Sequence, residues 1–150
     1  MGVSSILKKI MSEYEGRIRL IIKNVPYGQR QYSVASALAA LAAGEQGKYW
    51  EMHDKIFEKW PELDPATMLK HAQELGLDME RFKQSMASSR LKDAIERDMK
   101  LGDDLNVYMT PTFFINGKKY VGEMTRHEFK KIIEEELKNE IGRASCRERV

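Results

Sequence analysis

Apolar side chains recur at helical spacing from Ile6 through Leu7, Ile10, Met11 and Tyr14, with lysines and glutamates between them. That rhythm predicts a helix over residues 4–15, closed by Gly16, the residue type best suited to the left-handed position past a helix end. Residues 17–23 then turn apolar and β-branched (Ile18, Leu20, Ile21, Ile22), which predicts a strand. Asn24-Val25-Pro26-Tyr27-Gly28 breaks it.

From about residue 33 to 105 the pattern is helical throughout. Ser33–Ala43 is small and apolar and ends at Gly44, a composition suited to close helix packing. Lys48–Trp60 sets Trp50, His53, Phe57 and Trp60 on one stripe, on which Trp50 and Trp60 read as core aromatics. Asp64-Pro65 is an N-cap followed by proline at the first helical position, opening a helix that closes at Gly76. Asp78 caps the next helix, with Met79, Phe82 and Met86 on one face, and Ser89 begins another through Leu91, Ala94, Ile95 and Met99.

The chain then changes character. Pro111-Thr112-Phe113-Phe114-Ile115 predicts a strand with proline at its start, where a missing N–H costs least. Asn116-Gly117 asks for a type I′ hairpin turn, and Lys118-Lys119-Tyr120-Val121 returns antiparallel. Thr125 and Glu128 form a capping box ahead of a last helix striped by Phe129, Ile132, Ile133 and Leu137. The order is helix–strand, a block of helices, then strand–turn–strand–helix. It is an α/β pattern with an all-helical insertion, without internal repeats.

The bulk numbers narrow the function classes. Hydrophobic residues make up 42% and charged residues 32% of 150, as in ordinary globular domains. No apolar run approaches the length of a membrane span. The formal charge of +2 resides in the last ten residues, with three Arg against one Glu, which leaves residues 1–140 neutral and implies no nucleic-acid partner. No secretory signal opens the chain. His53, His71 and His127 fall on three separate helices, so no metal site is expected.

The single cysteine, Cys146, lies in the same tail. Ile141–Val150 reads residue for residue as the in-frame translation of a widely used short-read sequencing adapter. Residues 141–150 are therefore expected to be a non-native, disordered tail, and 1–140 the domain.

Met109-Thr110-Pro111-Thr112-Phe113-Phe114-Ile115-Asn116-Gly117-Lys118-Lys119, in this order of elements, is similar to the DsbA-like branch of the thioredoxin fold. Ile22-Lys23-Asn24-Val25-Pro26, the stretch Ala42–Asp54 and Glu74-Leu75-Gly76-Leu77-Asp78 resemble it too, so the likeness covers residues 3–138. It implies a thiol–disulfide oxidoreductase that exchanges disulfides with extended, unfolded or partly folded cysteine-containing proteins. It also implies a redox partner protein, a periplasmic or otherwise extracytoplasmic setting, and no cofactor.

The resemblance assigns Thr110-Pro111 to the cis-proline loop of that fold, with Met109 beside it as substrate-binding surface. There the Thr110 backbone N–H and C=O would pair with an extended substrate, a sequence-tolerant β-augmentation. Met124, on the other flank of the hairpin, is a second candidate for that surface.

The family's CxxC would stand at the N-terminus of the helix over residues 4–15, where the helix end favours a thiolate. The chain is expected to begin just after it and to lack both that motif and the first central strand. Catalytic residues are therefore none, and Ser4 and Ser5 cannot shuttle disulfides. Without the central strand, strands 17–23 and 112–115 share no neighbour. Each buried unpaired group would cost roughly 1–3 kcal/mol, so the chain is expected to be less stable than a longer parent.

Two alternatives come from other classes. One is a redox-inactive peptide-binding or chaperone module working through Thr110-Pro111. The other is a glutathione-dependent relative, such as a kappa-class transferase or a 2-hydroxychromene-2-carboxylate isomerase. The run Glu134-Glu135-Glu136 reads as the solvated face of the last helix. His53 and Asp54, as sequence neighbours on a helix, are expected to point apart.

Overall fold

The computed structural model describes residues 3–27, 31–59 and 63–147, with side chains through residue 139. Its elements run α1 (Val3–Glu13), α2 (Ser33–Gly44), α3 (Tyr49–Glu58), α4 (Pro65–Glu74), α5 (Met79–Ala87), α6 (Ser89–Asp104), β1 (Thr112–Ile115), β2 (Lys118–Val121) and α7 (Arg126–Arg147). The chain forms two compact units, one from the stretch up to Ile21 with Val107 onward, the other Ile22–Asn106. The described residues are rich in helix, with a small two-stranded sheet. No helix among the described residues is long and apolar enough to cross a membrane.

In the first unit α1 packs on α7 through Ile10, Tyr14, Phe129 and Ile133, all buried. β1 and β2 pair antiparallel, Phe113 opposite Tyr120 and Ile115 opposite Lys118. Asn116 and Gly117 have φ of 46° and 84°, the two positive values a type I′ turn requires. Phe113, Ile115 and Tyr120 face the α1–α7 core, and Phe113 meets Phe129 edge-on at 4.9 Å. Alternation along the strands turns Phe114 and Val121 outward, and both are exposed.

The second unit is built on α2, whose Ala39, Ala42 and Ala43 are fully buried. Such small side chains let α3, α4, α5 and α6 approach it closely. Phe82, Met52, Met68 and Ile95 fill the space between. Asp64, Asp78 and Ser88 each cap a helix through a side-chain oxygen that accepts from Thr67, Arg81 and Leu91 N–H respectively.

The strand expected over residues 17–23 is not formed; residues 18–27 carry no regular structure. A strand exists only through its ladder, and no described residue pairs with this segment. Its part in the second unit, from Ile22 on, is fixed instead by side chains of that unit. Asp98 on α6 accepts from Asn24 N–H at 2.9 Å and from Lys23 Nζ at 2.8 Å. Val25 packs so near Gly102 that a Cβ there would lie 3.2 Å from Val25 Cγ2.

Two side-chain expectations also change. The aromatic stripe of α3 is its less buried side: Met52 and Ile56 face the core, while Phe57 is 65% exposed. The fourth member, Trp60, lies outside the described residues, as does Gly28. Glu134–Glu136 is not simply a solvated face, because Glu134 accepts from Tyr14 Oη at 3.0 Å and Glu136 pairs with Lys118 at 2.6 Å. At the chain's end α7 continues to Arg147, so a helix runs on into residues expected to be tail.

Candidate functional site

The loop entering β1 is the candidate site, and it lies wholly within the first unit. The Thr110–Pro111 peptide bond is cis. Thr112 Oγ1 donates to the Met109 carbonyl at 2.6 Å, closing the loop on itself. The Pro111 carbonyl accepts from Gly122 N–H at 2.8 Å, which extends the hairpin ladder by one rung. Gly122 has φ 95°, a conformation that favours glycine, so the chain leaves β2 without strain.

Tyr108 is 73% and Met109 61% exposed, so most of these two large side chains stands in water. Thr110 is exposed and Pro111 half-buried. Met109, Thr110 and Pro111, to which the sequence pointed, are consecutive residues of this loop, and exposed Tyr108 precedes them. The exposure of Tyr108 has no signal in the sequence, since Val107-Tyr108-Met109 reads as a plain apolar run.

Met124 does not join them. At 8% exposure it is buried with Ile10 and Phe129. It precedes the Thr125 cap, and an apolar residue there packs against the one five positions on, which is Phe129: a hydrophobic staple. The capping box itself forms, with Glu128 Oε2 accepting from Thr125 N–H and Oγ1, both at 2.7 Å.

The charges that hold this unit lie away from the loop. Partial desolvation pushes Glu13 up, but Arg126 and Lys130 outweigh it and keep the carboxyl below its ordinary value. Burial and then the Glu134 carboxylate push the Tyr14 phenol up. Lys118 is raised by its bond to Glu136. None of these groups is left to act as an acid or base near Pro111.

Other candidate chemistry is scattered. His53, His71 and His127 sit on α3, α4 and α7. His53 Nδ1 lies 3.5 Å from Asp54 Oδ1, so these neighbours do meet. His53 is also enclosed by Trp50 and Phe57 at ring distances of 5.5 and 4.6 Å. Among the described residues no three His, Cys, Asp or Glu side chains are placed to hold a metal ion. Cys146 is the chain's one cysteine, and its side chain lies outside the described residues.

Comparison with known proteins bears on this geometry. The thioredoxin family profile matches residues 3–135. Disulfide bond formation protein D of Bacillus subtilis is 28% identical over 148 residues, covering 90% of this chain and 65% of that protein. Na(+)/H(+) antiporter NhaA 3 of Salinispora tropica is 36% identical over 117 residues, 77% of this chain and only 18% of the antiporter. The chain thus spans less than a fifth of the length of the antiporter relatives it matches. Among solved structures, the thiol–disulfide exchange protein alpha-DsbA2 from Wolbachia pipientis superposes with a TM-score of 0.79 at 23% identity, covering 89% of this chain and 72% of that one.

Proposed function

Since the chain belongs to the thioredoxin family and carries the DsbA-like form of its fold, we propose that it is the substrate-holding body of a thiol–disulfide oxidoreductase. The reading is supported by likeness to proteins named for thiol–disulfide exchange and disulfide bond formation. In this reading Met109, Thr110 and Pro111 hold an extended segment of an unfolded or partly folded protein, with Tyr108 beside them. The observation that carries it is the loop whose carbonyls are bonded to Thr112 and Gly122 while Tyr108 and Met109 stand largely in water.

Exchange needs a thiolate to attack and a second thiol to resolve the mixed disulfide. These 150 residues contain one cysteine, Cys146, so holding is the half of the reaction they supply. The setting that goes with this reading is an oxidising, extracytoplasmic one with a separate redox partner. The same cysteine count favours a second reading, a peptide-holding module with no redox step.

The test is titration of the chain into a fluorescent peptide with a cysteine between leucine and valine. Binding is expected, weakened about ten-fold by Met109→Asp, which replaces an apolar contact with a charge. Lys92→Asp, on exposed α6, serves as the control. Equal loss in both variants would count against the loop. Acceleration of disulfide exchange between that peptide, supplied as its mixed disulfide with glutathione, and an added dithiol protein separates the redox reading from the module, which gives none.

A further inference from the structure

Resting on the substrate-holding reading, we propose that Met109 is an oxidation-sensitive position through which peroxide turns the peptide site off. The methionines are sharply divided by access. Met52, Met68 and Met124 are buried at 0, 1 and 8% exposure, and Met79, Met86 and Met99 are partly buried against the helical core. Met11 is also partly buried, which leaves Met109, at 61%, as the one exposed methionine among the described residues. Oxidation of a thioether follows access of the oxidant to sulfur, so these positions differ in rate.

The loop makes that access consequential. The Met109 carbonyl is held by Thr112, so the backbone is fixed and the side chain is the part offered to a partner. A peroxide transfers one oxygen to Met109 Sδ: the O–O bond breaks and an S=O bond forms. Sulfur loses two electrons, and the peroxide gains them and leaves as water. The product is polar and chiral where an apolar, pliable group stood, and it cannot pack on a leucine or valine side chain without desolvating its new oxygen. A thiol-dependent methionine sulfoxide reductase removes the oxygen as water while its thiols become a disulfide, so the switch is reversible.

The experiment uses the full chain with Cys146 first alkylated, limiting hydrogen peroxide, and peptide mapping by mass spectrometry. Met109 is expected to oxidise at least about ten-fold faster than Met52, Met68 or Met124. Affinity for the leucine–cysteine–valine peptide should then fall about ten-fold, with circular dichroism unchanged, and return after treatment with reductases for both sulfoxide epimers. Peroxide should not alter the affinity of Met109→Leu from its own untreated value. Uniform oxidation of all methionines, or a Met109 sulfoxide that binds peptide as the untreated chain does, overturns the switch alone. An untreated chain that binds no peptide overturns the substrate-holding reading and the switch with it.

Discussion

Thr125 and Glu128 satisfy each other's backbone N–H groups at the start of α7, and Glu128 also takes the Thr125 hydroxyl. Replacing Thr125 by Ala removes the side-chain cap and should lower stability by about 1 kcal/mol in a urea titration, with Thr125→Ser close to the parent. The Thr125 hydroxyl and N–H hold the Glu128 carboxyl below its ordinary 4.5. Asp64 is held down by Thr67 N–H at its cap, and Glu74 by Lys55. A depressed carboxylate adds stability above its unfolded pKa and loses it as pH falls through the folded one. Melting temperature should therefore be flat near neutrality and fall as pH drops below about 4.5, and Thr125→Ala should blunt that fall. The basic side runs the other way. Burial, and then Asp98, push the Tyr49 phenol up to about 12, so its contribution is intact below 10 and disappears as pH rises toward 12. A tyrosinate absorbance titration should show Tyr49, and Tyr14 with it, ionising above the ordinary phenol value. The caps behind these effects were legible in the sequence because a cap is a local hydrogen bond. The buried fate of Met124 was not, because it depends on which way the hairpin turns its flank.

At the scale of elements, the hairpin was readable to its register, since Asn116-Gly117 dictates the turn and the turn fixes the pairing. The strand over residues 17–23 was not, since its composition suits a strand but a strand also needs a neighbour. What replaces the ladder is Asp98. Asp98→Ala should free Lys23 and the Asn24 N–H, costing about 1–2 kcal/mol and speeding amide exchange at Asn24. Unchanged exchange there would mean that Val25 against Gly102 holds the segment by itself. The helix α3 shows a second limit of the sequence. Trp50, His53 and Phe57 share a stripe as the spacing said, but periodicity cannot tell the buried face from a half-exposed one when Met52 and Ile56 define an apolar face beside it.

Across the molecule, each unit has its own core, Ile10, Phe129 and Ile133 in one and Met52, Met68 and Phe82 in the other. Phe82→Ala should cost about 3–5 kcal/mol and Ile133→Ala about 2–5 kcal/mol. The two cores share no residue, so the losses should add in the double variant if that variant still folds. The family was legible in the residues from Met109 to Lys119, while the face that run presents was not, because exposure is settled by packing. Everything proposed for function meets at Tyr108–Pro111. The most direct measurement is a backbone amide NMR titration of the chain with the leucine–cysteine–valine peptide. The expected result is saturable shifts centred on Tyr108, Met109, Thr110 and Thr112, with α3 and α4 unmoved. Shifts centred on Trp50–Phe57, or none at all, would contradict the substrate-holding account.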